Sequence, residues 1–208
     1  MARPEALPPR ERTVGQLVAE SIRFYSRRFW AVLPLGVPFA LLDAASFGRS
    51  VALQTLLLWA FGPVLTAAYV RASVLLAERP AAMRSAFLAG LIIFVPFPVL
   101  VRLYVLPAIV WFGLVGLAVP AAVCERLGVR AALRRGLELG RADLVHAVGG
   151  LATLALVYGV SRYALLVLLH TQGDQTQHVG VVLADLVLSP ILYVGAALLY
   201  VDQAARVE

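Results

Sequence analysis

Residues 85–124 read SAFLAGLIIFVPFPVLVRLYVLPAIVWFGLVGLAVPAAVC. At 1.5 Å per residue a single helix of this length would reach about 60 Å. A bilayer hydrocarbon core is about 30 Å thick, so one helix would overshoot it. The apolar character is interrupted in the middle by Arg102, Tyr104 and Pro107. The stretch therefore predicts a tight hairpin of two spans, 85–105 and 107–124, turning near Arg102–Pro107. Working outward, four further apolar runs have spanning length: 29–47, 51–77, 143–170 and 179–201. The expectation is an all-α polytopic membrane helical bundle of about six transmembrane helices, with amphipathic interfacial helices beside it.

Composition agrees. Of the 208 residues, 61% are hydrophobic and 14% charged, with a mean hydropathy of +0.86. Soluble domains carry about a quarter charged residues, and a soluble fold could not cover this much apolar surface with so few charges. Residues 29–202 read as the six-helix transmembrane domain, which leaves no soluble domain within this length. One cysteine, Cys124, excludes an internal disulfide and a multi-thiolate metal site.

Ahead of the first span, residues 1–12 (MARPEALPPRER) are rich in proline and charge and read as disordered. Thr13 can cap a helix. In 13–28, Val14, Leu17, Val18, Ile22 and Tyr25 recur at helical spacing opposite Glu20, Arg23, Arg27 and Arg28. This predicts an interfacial amphipathic helix, with Phe29 and Trp30 at headgroup level. The polar lead-in is too long for an ordinary signal-peptide n-region, so the first apolar run reads as a retained helix. Residues 203–208 read as a cytoplasmic tail.

All 18 basic residues are arginine. With the Ala–Leu–Val–Arg bias this suits a GC-rich bacterial genome. Fifteen fall on one side of the predicted spans: six in 1–28, then Arg71, Arg79, Arg84, Arg126, Arg130, Arg134, Arg135, Arg141 and Arg206. Arg49 and Arg102 fall on the other side, and Arg162 lies within a span. The positive-inside rule then places both termini in the cytoplasm of a multi-pass protein of the bacterial inner membrane. This asymmetry accounts for the net charge of +6, and no recognition motif points to nucleic acid. Arginine-bearing amphipathic stretches at 14–28, 79–88 and 128–141 precede alternate spans, which suggests a unit of one interfacial helix plus two spans occurring three times.

Three blocks carry a resemblance. They are TVGQLVAESIRFYSRRFWAVLPLGVPFAL, VPAAVCERLGVRAALRRGLELGRADLVHAVG and the terminal ALLYVDQAARVE. Together they resemble a group of bacterial six-helix membrane proteins related to the membrane domain of some glycerophosphoryl diester phosphodiesterases. The matching positions are Pro120, Glu125, Gly128, Ala132, Arg135, Leu139, Tyr200 and Asp202. Gly136 stands where that group commonly has serine, and Arg206 replaces a basic residue expected nearer Asp202. The catalytic barrel has no counterpart in this chain, so the resemblance implies the membrane fold and no diesterase activity.

No Walker A, HExxH, GxSxG or paired-cysteine motif occurs, and no cofactor is expected. Ser161 has no identifiable partner. His170, Asp174 and His178 have spacing that could hold a metal, but in a short Gln-rich loop they read as a solvated turn. Cys124 and His146 read as a small apolar residue and an interfacial polar residue. Charges inside spans are more informative, because each costs about 2.5–3.5 kcal/mol at a helix centre. Folding 143–201 as an antiparallel hairpin brings Arg162 and Asp185 to similar depth, which predicts that they pair. Asp43 and Arg102 lie at comparable depth, so the four could line a polar cavity in the outer half of the membrane. Prolines at 34, 38, 63, 96, 98, 120 and 190 are expected to kink the spans.

Two functions follow. One is a non-enzymatic accessory, scaffold or membrane-organising protein, with Arg162–Asp185 pinning two helices. The other is a small transporter or lipid-handling protein that uses the polar cavity. Expected partners are membrane lipids and a membrane protein or a second copy of the chain.

Overall fold

The computed structural model of the chain describes residues 8–77 and 80–207. The expected disorder of 1–7, Arg79 and Glu208 lie outside the described residues. The fold is an all-α bundle. In chain order its helices are α1 (Val14–Arg27), α2 (Phe29–Ser46), α3 (Val51–Leu76), α4 (Met83–Leu103), α5 (Val105–Glu125), α6 (Val129–Ala142), α7 (Leu144–Leu168) and α8 (Asp174–Val207). Six of these, all but α1 and α6, are long and apolar enough to cross a membrane. The protein is a multi-pass membrane protein.

The hairpin within 85–124 turns at Tyr104, whose extended backbone (φ −162°, ψ 149°) separates Leu103 from Val105. α4 and α5 then run antiparallel along their length. α1 begins in a reciprocal capping box: Thr13 N–H donates to Gln16 Oε1 (2.8 Å), and Gln16 N–H donates to Thr13 Oγ1 (3.4 Å). Its buried stripe is Leu17, Ser21 and Tyr25. Ile22, expected on that stripe, is 46% exposed. Ser21 takes its place by donating to the Leu17 carbonyl at 2.7 Å, which satisfies the hydroxyl inside the core.

Four sequence expectations change. Of the stretch 79–88, the described residues 80–88 form no separate interfacial helix, because Met83 already starts α4. Of the described part of 1–12, Pro9–Glu11 form a 3-10 turn and Arg12 is anchored to Asp202, so this part is ordered. Residues 203–207 are no free tail, because α8 stays helical to Val207 and Gln203 is fully buried. α8 also starts at Asp174 rather than at 179, which shortens the loop ahead of it to 169–173.

α8 forms the centre of the bundle. Every residue from Tyr193 to Tyr200 is buried, and this part of the helix touches α1, α2, α3, α6 and α7. An apolar helix enclosed on all sides needs no polar face. α7 behaves differently. Its buried residues are His146, Ala147, Gly150 and Leu154, all in the half near the termini. Beyond Leu154 it leaves the core.

Proline breaks are repaired by side chains. Pro120 has no N–H for the Gly116 carbonyl, and Tyr69 Oη donates to it instead (3.2 Å). At the Pro96 break in α4, the indoles of Trp111 and Trp59 donate to the carbonyls of Ile93 (2.8 Å) and Val95 (2.9 Å). In a low-dielectric interior such donors stabilise the breaks at Pro96 and Pro120, because each unsatisfied backbone group is costly.

Candidate functional site: a polar pocket between five spans

Because α7 parts from the core, its half beyond Leu154 faces α2 and α8 across a space lined by polar groups. Arg162 on α7 donates from Nε to Asp185 Oδ1 (3.1 Å) and from Nη2 to Asp43 Oδ1 (2.6 Å). One guanidinium therefore joins three helices. Tyr158, one turn below Arg162, donates its hydroxyl to the same Asp185 oxygen at 2.6 Å. Asp185 is only 2% exposed, so these two donors supply the compensation that a buried carboxylate needs.

Arg102 approaches from α4. Its Nε donates to Thr55 Oγ1 (3.1 Å) and its Nη2 to Gln54 Oε1 (3.0 Å), both on α3. Gln54 in turn donates from Nε2 to the Arg49 carbonyl (3.0 Å). The amide thus uses both ends, which fixes its orientation. Arg102 has no carboxylate within ion-pair distance among the described residues.

These groups border one pocket of about 200 Å³. Its polar lining includes Asp43, Gln54, Arg102, Tyr158, Arg162 and Asp185, and Phe39, Leu42 and Leu58 supply apolar walls. Five of the six spans contribute, and α5 does not. The four residues singled out from the sequence thus share one cavity. Sequence reasoning missed Tyr158 and Gln54, because an uncharged polar residue in a span gives no comparable depth signal.

A second polar cluster lies at the termini. Asp202 is fully buried and accepts from Arg12 Nη1 at 2.8 Å. Arg206 donates to Asp143 Oδ2 (2.5 Å) and to the Arg12 carbonyl (2.8 Å). Asp143 also caps α7 by accepting from the His146 N–H (3.0 Å). Both ends of the described chain are thereby tied to the start of α7. Asp202→Asn should lower stability by about 1–3 kcal/mol, because Arg12 loses its charged acceptor while the side-chain shape is kept. Thermal melting in detergent checks this, and a melt coincident with wild type would remove the clasp from the account.

The positions carrying the family-like pattern are spread over several structural roles. Glu125 Oε1 accepts from Arg135 Nε (3.0 Å) and from Tyr200 Oη (2.9 Å), joining α5, α6 and α8. The hydrogen bond to Glu125 raises the Arg135 guanidinium pKa above its ordinary value. Asp202 belongs to the terminal clasp, Pro120 makes the kink repaired by Tyr69, and Gly128 is the N-cap position of α6. Ala132 and Leu139 are fully buried on the inner face of α6. Gly136 lies so close to α5 that an added Cβ would sit 2.5 Å from the Ala118 nitrogen. Serine would not fit there, which explains this departure from the pattern.

His170, Asp174 and His178 do not converge. His170 Nδ1 lies 2.7 Å from the Val167 carbonyl, and the His178 ring stacks on Phe47 with centroids 3.9 Å apart. Among the described residues no three His, Cys, Asp or Glu side chains are grouped to hold a metal. No family model matches the chain, and no curated protein or solved structure does either.

Proposed function

We propose that the protein is a small transporter or lipid-handling protein that binds a polar solute or a lipid headgroup in the pocket between α2, α3, α4, α7 and α8. The observation that carries this reading is the convergence of Asp43, Arg102, Arg162 and Asp185 on one cavity of about 200 Å³. A bundle that used Arg162 only as a pin would need no opening beside it. Arg102, held by neutral acceptors, adds an exposed guanidinium at the same opening. The arginine distribution supports placement in a bacterial inner membrane with both termini cytoplasmic, so that the pocket lies in the outer half. The resemblance to stand-alone relatives of the phosphodiesterase membrane domain, together with the lack of a catalytic motif, supports a non-enzymatic role.

The accessory or scaffold reading draws on a different observation. Arg162 already engages both carboxylates, as a purely structural pin would. The experiment that separates the two is purification of the full chain in mild detergent, followed by mass spectrometry of bound small molecules and lipids. Wild type should carry a specific ligand that Arg102→Gln loses. If both proteins carry the same set of molecules, the pocket reading is overturned and the scaffold reading stands.

A further inference from the structure

We infer that the pocket takes a zwitterion, with a primary ammonium at the two aspartates and a phosphate at Arg102. This rests on the pocket reading above and names its ligand class.

Charge placement in the pocket selects the ligand class. Arg162 shares its guanidinium between Oδ1 of Asp185 and Oδ1 of Asp43. Two carboxylates against one guanidinium leave this inner group one negative charge in excess. The second oxygen of each carboxylate, Oδ2, carries no hydrogen bond among the described residues. Arg102 supplies the opposite charge from α4, and only part of its donor set is engaged, by Gln54 and Thr55. The cavity thus has a negative inner end and a positive group at another wall, with no net charge over the four residues.

Simple ions do not suit this pattern. A bare cation would gain from the aspartates but leave Arg102 uncompensated, and a bare anion would meet two carboxylates. A molecule with both charges satisfies each end. Phe39 and Tyr158 line the same cavity with ring centroids 6.1 Å apart, and aromatic faces attract ammonium groups. The two free carboxylate oxygens are hydrogen-bond acceptors. They favour an ammonium bearing N–H groups over a quaternary one, which has none to donate. A pocket of about 200 Å³ has room for about six waters at about 30 Å³ each. That suits a phosphoethanolamine unit and not a whole lipid, whose chains would remain in the bilayer. The same chemistry occurs in a phosphatidylethanolamine headgroup and in free phosphoethanolamine.

The test is native mass spectrometry of the full chain in detergent, titrated with phosphatidylethanolamine, phosphatidylglycerol or soluble phosphoethanolamine. Wild type should prefer phosphatidylethanolamine over phosphatidylglycerol by about tenfold, the worth of one charge-assisted hydrogen bond. Asp43→Asn should erase that preference, and Arg102→Gln should weaken both lipids alike. Soluble phosphoethanolamine binding as tightly as the lipid, with the same dependence on Asp43, would identify a free solute as the source of the shared chemistry. Equal binding of the two lipids by wild type, which needs no variant to fold, overturns the zwitterion. So does a preference that survives in a folded Asp43→Asn protein. Equal lipid binding that Arg102→Gln still abolishes would leave the pocket reading standing without the ammonium. Binding of none of the three probes would overturn the zwitterion, while the pocket reading still stands or falls on the co-purified ligand.

Discussion

Arg162→Leu should melt far below wild type, at a cost of about 3–5 kcal/mol, the range for removing one member of a buried ion pair. The loss exceeds the worth of the contacts themselves, because the substitution strands two carboxylates. Asp185 is 2% exposed and would keep only the Tyr158 hydroxyl, and Asp43 would lose its arginine. Simple charge exchange, Arg162→Asp with Asp185→Arg, should rescue only in part. It puts a long side chain at a buried position and loses the hydroxyl donation from Tyr158. Removing all three charges is the sharper rescue. Arg162→Leu with Asp43→Leu and Asp185→Leu leaves nothing uncompensated, and replacing buried ionic groups with apolar ones is often neutral or stabilising. The triple variant should regain most of the stability and bind no ligand. If Arg162→Leu alone melts like wild type, the three-helix junction is not what holds α7 in place.

Much of the fold is legible in the sequence because the membrane imposes simple accounting. The run at 85–124 is too long for one crossing, and its turn falls at Tyr104, within the three residues that interrupt it. The intramembrane charges are legible for the same reason. An arginine and an aspartate at similar depth are each too costly alone, so their pairing follows from depth and cost. What the sequence hides depends on contacts between distant segments. Residues 8–12 have the composition of a disordered segment, yet Arg12 reaches Asp202, 190 positions away, and the partner supplies the order that composition lacks. The last turns of α8 extend past the apolar window that ends at Val201. Buried Gln203 finds a partner far along the chain, since its Nε2 donates to the Asp143 carbonyl at 2.9 Å. Tyr158 and Gln54 escape a sequence reading because their role is set by what lies opposite them, and local pattern carries no trace of that.

The same limit applies to Gly36, where a second large effect is expected. Pro190 cannot donate to the carbonyl of Leu186, so that carbonyl is left outside the helix ladder of α8. α2 closes on this position, and a Cβ built on Gly36 would sit 1.9 Å from the Leu186 oxygen. The obstacle is backbone, so no side-chain rotamer change can relieve it. Gly36→Ala must push α2 and α8 apart, at the upper end of or beyond the 1–3 kcal/mol or so typical of overpacking. The consequence extends past stability. Leu186 adjoins Asp185, and Asp43 lies two turns from Gly36 on α2, so the displacement separates the two carboxylates that Arg162 bridges. Gly36→Ala should therefore lower the melting temperature and weaken ligand binding together. Gly159→Ala is the control. It lies in helix α7 with nothing within 4 Å of its added Cβ, so it should melt at or slightly above wild type, since alanine favours helix over glycine by about 1 kcal/mol. Equal melting of the two variants would show that the α2–α8 contact at Gly36 is not closely packed, and the geometry of the pocket would lose its support from that side.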